Sequence, residues 1–534
     1  MDAAVAAQRA VYRAPFARDV ASGQAHPFVI PYTILSSFAL PALWLAIPHV
    51  GRPWLYRSRW IVVALVLVVN RYLLLRSSSE NFGLAYATGL TLAWGFATCF
   101  DLLILRTPQV DEARILKVPA AQALPKHPQN ASEESSRVVN GQDSASPSLR
   151  RRHDKLGSNA TNHYSTKLPP DTETYIWEPY PRDASFLYRL GWSLDLIISL
   201  RGAGWSTAIA SIPRPKTPAH IAHGDAVDIS AMPRVSRSGY ECSMTEGSFV
   251  RTRLCRLLVC YFFIDFISAS CSFDPYFLYG PEHTHQRPSY LPDASPLLVL
   301  VYREVATITI VVTTLETANC FYSLSTYFLL KKWFPARAVL WHFPSTFGSL
   351  SQVFDRGMAG LWGAWWHQIL RQGFTAPVTY LFKHGYLEKK SKLAGIVAVL
   401  VSFTLSGSLH ALGSFTALPD TNPWRPFSYF VLQAVGVLVQ QALSEALRCV
   451  LPRVPRTLAR ITNLVFVVAW MCCTSVLFID DIASSGVWLS EAVPVSPSRL
   501  LGIVPSTGSW WRWTIYEFPR WHWGTHWWQS GFAL

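Results

Sequence analysis

Residues 393–412, LAGIVAVLVSFTLSGSLHAL, constrain this chain more than any other stretch. They form an apolar run long enough to cross a hydrocarbon core of about 30 Å as a helix. It holds one ionisable side chain, His410. Ser402, Ser406 and His410 recur every fourth residue, with Gly407, Gly413 and Ser414 at neighbouring offsets, so a helix places them on one face. Leu, Ile, Val and Phe fill the other. A membrane helix packs such a stripe against protein or a cavity, not lipid, and an ionisable group there is a candidate functional residue. A histidine bonded to a neighbouring helix, or seated near the membrane surface, would leave the same pattern.

Further apolar runs at 28–47, 60–75, 84–105, 254–272, 295–330, 426–447 and 461–479 are near spanning length or longer. Only 15% of the residues are charged and 50% are hydrophobic, against about 25% charged in soluble domains. The fold expected is an all-α polytopic membrane protein with about 8–10 transmembrane or re-entrant helices. The formal net charge of +14 fits basic cytoplasmic loops and anionic lipid. No nucleic-acid-binding motif accompanies it, so nucleic acid is not an expected partner. The nine cysteines show no CxxC pairing, which argues against a zinc site or a disulfide framework. The first residues lack the pattern of a removable signal peptide, and the first spanning helix is expected to direct insertion.

Residues 1–105 read as a short polar lead (1–27) followed by N-terminal transmembrane helices. Residues 106–185 are rich in Ser, Asn, Gly and charge, and read as a disordered polar loop. Residues 186–200 read as an amphipathic helix on or under the membrane, stopped by the turn-permitting glycines of Arg201-Gly-Ala-Gly-Trp205. Prolines break 206–250. Arg303, Glu304 and Glu316 inside an apolar run predict a partly buried, paired site. Residues 341–374 suggest short or re-entrant helices. The tail, 483–534, is Trp-rich and reads as interfacial.

Placing Lys383, Lys389, Lys390 and Lys392 in the cytosol, together with Arg448, Arg453, Arg456 and Arg460, sets His410 toward the lumenal end of its helix. The same rule puts residues 106–252 in the cytosol. The sequons at Asn130 and Asn159 would then be unused.

A second cluster is Trp362-Gly-Ala-Trp-Trp-His-Gln368. On a continuous helix, Gly360, Gly363, His367 and Arg371 share one face, while Trp362 and Trp366 share another. A Trp-rich anchor with an incidental histidine would have the same composition.

Taken in order, Arg201-Gly-Ala-Gly-Trp205, Trp362-Gly-Ala-Trp-Trp-His-Gln368 and Ser406-Gly-Ser-Leu-His410 resemble the wax-synthase-like branch of the membrane-bound O-acyltransferases. The flanks Leu190-Gly-Trp-Ser-Leu-Asp-Leu196 and Pro344-Ser-Thr-Phe-Gly348 fit the same pattern, and the likeness extends over about residues 186–480. Ala203 stands where the family usually has Ile. Ala364 and Trp365 stand where it usually carries a basic residue.

The resemblance implies a helical bundle around an internal acyl-transfer cavity, with 186–482 as the catalytic core. It implies transfer from acyl-CoA, a co-substrate rather than a bound cofactor, to a hydroxyl. His410 would be the general base and His367 would position substrate or polarise the thioester carbonyl. Ser406, Trp362, Trp366, Gln368, Arg201 and Trp205 are the candidate substrate-binding residues, and no metal is expected. An alcohol needs a base as it attacks, and a neutral imidazole, which titrates near pH 6.5 in water, can serve. Fungal acetyltransferases acting on terpenoid or polyketide secondary metabolites fit the polar loop and Trp-rich tail better than wax-ester synthases using long fatty alcohols. The expected partners are acetyl-CoA, a lipophilic alcohol and membrane lipid, and the expected location is the endoplasmic reticulum.

Three alternatives compete: a long-chain wax-ester synthase, a transporter or sterol-binding protein whose His410 stripe lines a path, and an inactive relative with an altered motif at Ala364. No internal repeat of the kind common in transporters is evident. His223 and Asp228 mimic the spacing of a different acyltransferase fold without its glycine-rich partner. His283 with His285, and His522 with His526, have metal-like spacing but no completing carboxylate or cysteine. GxSxG, Walker A, HExxH and GxGxxG are absent.

Overall fold

The computed structural model of the chain describes residues 2–119, 173–504 and 509–533. The short polar lead is largely a helix, α1 (Asp2–Ala21), consistent with its alanine content. The apolar run at 28–47 yields only α2 (Tyr32–Leu45), whose 14 residues reach about 21 Å. It is too short to span alone: it begins only after Pro31, runs through Pro41 and stops at Leu45, with much of its surface packed against protein.

Spanning-length helices follow at α3 (Pro53–Arg76) and α4 (Phe82–Leu105). After the amphipathic α5 (Phe186–Ile198) come α6 (Glu246–Cys271) and α7 (Pro296–Trp333). Two shorter helices, α8 (Ser351–Gly360) and α9 (Arg371–Lys383), precede α10 (Lys392–Phe415), α11 (Trp424–Ala446) and α12 (Arg456–Thr474). The run 461–479 is split, since the chain turns at Ser475 into α13 (Val476–Ser484). Among the described residues, seven helices are long and apolar enough to cross a membrane.

The polar stripe of α10 meets protein, as its sequence requires. A Cβ on Gly407 would stand 2.9 Å from the Phe427 carbonyl of α11, and one on Gly89 of α4 would stand 1.8 Å from the Leu412 carbonyl. Glycine lets these backbones touch. The helix starts at Ser391, whose hydroxyl accepts from the Ala394 amide at 3.1 Å.

Residues 106–185 depart from a wholly irregular loop at both ends. Ala113–Pro119 and Glu173–Pro179 pair as antiparallel strands, with Ile115 opposite Trp177 and both buried. A short apolar alternation inside a polar stretch gave too weak a signal to find them. Asn130 and Asn159 fall outside the described residues. The strands join the basic end of the bundle: Lys383 reaches Asp111 at 2.5 Å, and Arg337 donates to the Ile115 carbonyl at 2.6 Å. At the opposite terminus, Gly531–Ala533 pairs with Val29–Ile30 and with Arg520–His522.

The charges inside α7 are paired, but to other elements. Arg303 grips both oxygens of Asp274 at 2.8 Å, and Glu316 holds Arg256 of α6 at 2.9 Å. Glu304 accepts from Ser475 and from Cys472. Each buried charge thus has a partner that offsets part of its desolvation cost.

Candidate active site

His410 sits 18 residues along α10, with its Nδ1 2.8 Å from the Ser406 backbone carbonyl. A carbonyl only accepts, so Nδ1 carries the proton and Nε2 of the neutral ring is the free acceptor. The ring lies 4.2 Å from Phe430 of α11 and 6.0 Å from Phe478 of α13. Behind it, the Tyr86 hydroxyl reaches the His410 carbonyl at 3.3 Å and Asp481 at 3.1 Å, while Ser414 also donates to Asp481. The group on Ser406 that orients His410 is its backbone carbonyl, not its hydroxyl.

His367 does not lie on a continuous helix. Residues Leu361–Trp365 form one wide turn, closed by the Trp366 amide on the Leu361 carbonyl at 2.8 Å, and Trp366 is extended. The shared face expected for Gly360, Gly363, His367 and Arg371 therefore does not form. Helix ends leave carbonyls without partners, and here side chains take them. Gln368 donates to the carbonyls of Trp362 and Trp366 at 2.9 and 2.8 Å, and Arg371 donates to Gly363 and to the Gln368 oxygen. Gln368 is thus a clamp on the loop with both ends of its amide engaged.

The loop delivers His367 beside the aromatic wall of His410. Trp362 contacts Phe430 at 6.1 Å and Trp366 at 5.6 Å, and Trp366 lies 5.3 Å from the His367 ring. Trp362 and Trp366, expected on one face of a continuous helix, meet instead across the break, with Trp366 already extended. Burial pushes His367 down to about 3, with the charge of Arg201 acting in the same direction. Its Nδ1 is buried with no hydrogen-bond partner among the described residues, an arrangement that native interiors rarely tolerate without a ligand or water.

Arg201 approaches from a third side. It adopts φ 61° and is 4% exposed, and its guanidinium donates to the Ser345 and Pro344 carbonyls at 2.6 and 3.2 Å. Burial lowers it to about 10, so it remains a cation. Its first contact is the Pro344–Ser345 backbone. Trp205 stands apart: it packs edge-on to Trp192 at 4.9 Å, with Arg337 5.8 Å from its ring centre. Its place is the core beneath α5.

Sequence reasoning missed Phe430, Phe478, Tyr86, Asp481 and Tyr240, whose hydroxyl holds the Trp366 carbonyl at 2.7 Å. None carries a local motif. Asp228 forms a turn with Ser230, and no cluster of three metal-ligating side chains occurs among the described residues.

The fold defines the class: a mostly helical, polytopic membrane protein. Residues 343–432, which include both histidines, match the sequence model of the Membrane bound O-acyl transferase family. The chain is 28% identical over 104 residues to Acetyltransferase spyB of Aspergillus fumigatus, covering 19% of this chain and 17% of that protein. It is 27% identical over 143 residues to Acetyltransferase fsoF of Humicola fuscoatra, covering 24% and 33%. It is 24% identical over 273 residues to O-Mevalon transferase yanI of Aspergillus niger, covering 47% and 52%. The resemblance to the fungal acetyltransferase type of the family stands on these matches, which span between 17% and 52% of the relatives' own lengths. No solved structure matches the chain.

Proposed function

We propose that this protein moves an acyl group, preferentially acetyl from acetyl-CoA, onto a hydroxyl of a lipophilic terpenoid or polyketide, in the endoplasmic reticulum membrane. The observation that carries the reading is the single free ring nitrogen of His410, fixed by the Ser406 carbonyl and facing an aromatic wall. Nε2 takes the acceptor's O–H proton as that oxygen bonds to the thioester carbonyl carbon. The C–S bond then breaks, and the sulfur leaves as the thiol with the proton from the imidazolium. His367, neutral because of its burial, donates through a ring N–H to the oxygen that gains charge. Trp362 and Trp366 form an apolar boundary for the acceptor, and Arg201 fixes the 344–345 segment against the site.

The test is microsomal protein with labelled acetyl-CoA, labelled palmitoyl-CoA and a panel of lipophilic alcohols. Acetyl transfer that disappears in His410→Ala, at normal expression and insertion, is expected. Full activity in that variant would refute the base assignment. Transfer of palmitoyl but not acetyl would favour wax-ester synthesis, and one of the relatives above is named for a group other than acetyl.

A further inference from the structure

A second polar space is lined in part by Ser345, whose backbone carbonyl Arg201 grips. It is a cavity of about 250 Å³ beside the N-terminal turns of α6. Arg234, Arg253 and Arg256 line it, with the hydroxyls of Thr245, Ser248 and Thr252. Arg234 and Thr245 are exposed while Arg253 and Ser345 are buried, so the space runs inward from the surface. Glu246 at this end of α6 pairs with Lys331 at the end of α7, close to the basic face of the bundle.

The charges around the cavity do not balance. Arg256 is matched by Glu316 at 2.9 Å and approaches Glu241 at 4.0 Å. Arg253, 4% exposed, donates only to neutral groups, the Phe343 and Pro344 carbonyls at 2.7 and 3.3 Å among them. Arg201 shares the Pro344 carbonyl. Among the described residues, Arg201, Arg234 and Arg253 have no carboxylate partner. Three guanidinium groups, of Arg234, Arg253 and Arg256, thus line the cavity with one carboxylate, Glu241, and Glu316 outside the lining matches Arg256 alone. Carbonyl dipoles solvate a buried cation without neutralising it, and an uncompensated buried charge is costly. An anion in the cavity removes that cost. Guanidinium forks suit phosphate oxygens in particular. The volume lies below the roughly 300–1,000 Å³ of pockets that take a whole drug-sized ligand. It suits phosphate groups rather than an entire nucleotide.

We propose that this cavity holds the phosphates of the coenzyme A half of the acyl donor, so that the thioester end passes the 344–345 segment toward His367 and His410. The assignment rests on the acyl-CoA reading above. A phospholipid headgroup offers the same chemistry and is the source to be separated from it.

The experiment is calorimetric binding to the purified full chain in detergent, with coenzyme A, inorganic pyrophosphate and pantetheine as probes, on wild type, Arg234→Gln, Arg253→Gln and His410→Ala. Arg234 is exposed, so its variant keeps the test open if Arg253→Gln fails to fold. The expected result is competition between coenzyme A and pyrophosphate. Each arginine variant weakens both roughly tenfold to hundredfold, leaves pantetheine unaffected, and raises KM for the acyl donor with kcat little changed. His410→Ala binds both as wild type does. Equal coenzyme A affinity in wild type and the arginine variants overturns the assignment while leaving the acyl-CoA reading intact. Wild type that binds no coenzyme A sinks that reading. If it instead binds phosphatidic acid in nanodiscs, and the arginine variants lose that binding, the cavity is a lipid headgroup site and the assignment to the donor falls.

Discussion

The His410 Nδ1 and the Ser406 backbone carbonyl, one helical turn apart, stand 2.8 Å from each other. This contact leaves Nε2 as the ring's only acceptor and makes the backbone, not the Ser406 hydroxyl, the orienting group. Ser406→Ala should therefore retain transfer within about threefold, while His410→Ala should lose roughly 10²–10⁴-fold. Labelled-donor assays at matched expression decide it. A Ser406→Ala loss as deep as that of His410→Ala would mean the hydroxyl takes part.

Gly204 has φ +77°, and a Cβ there would lie 2.5 Å from the His342 ring. Gly204→Ala should cost about 2–4 kcal/mol, from the left-handed backbone and the overpacked ring together. The thermal midpoint in detergent reports this. A wild-type midpoint would show that the turn accommodates a side chain after all.

Asp274 and Arg303 meet through two bonds of 2.8 Å, and Asp274 is 0% exposed. Asp274→Ala strands a buried cation and should cost about 3–5 kcal/mol. Glu445→Ala, which removes the exposed contacts to Lys392 and Arg448, should change stability by less than about 1 kcal/mol. Equal effects from the two substitutions would contradict the burial argument.

Burial pushes Asp481 up to about 7, against hydrogen bonds from Ser414 and Tyr86 that act to lower it. With its folded value raised above the ordinary 3.8, the contribution to stability is fully present below about pH 4 and is lost as pH rises through about 7. Wild type should lose stability across that window, at up to about 1.4 kcal/mol per pH unit. Asp481→Asn should lack that component, so its midpoint gains on wild type at pH 8 and not at pH 4. Parallel pH profiles for the two proteins would remove the assignment.

The elements most legible in the sequence are those set by local composition. The α10 span, its small-residue stripe and the break-prone 341–374 stretch all follow from hydropathy and spacing, because a helix in lipid satisfies its backbone locally. The short α2 was overcounted as a span, since an apolar run alone does not say whether its faces meet lipid or protein. The strands Ala113–Pro119 and Glu173–Pro179 were missed because each is stabilised mainly by a partner some sixty residues away.

The candidate site divides along the same line. The sequence by itself determined that His410 lies on a polar helical face and that His367 sits in a glycine- and tryptophan-rich segment, both matters of neighbours within a turn or two. Only the tertiary structure decided that the helix ends before His367, that Gln368 clamps the loop, that Trp205 belongs to the core beneath α5, and that Arg201 and Arg253 grip the Pro344 carbonyl from separate elements. Those relationships depend on contacts between residues far apart in the chain, and no local periodicity encodes which distant carbonyl a buried arginine will find.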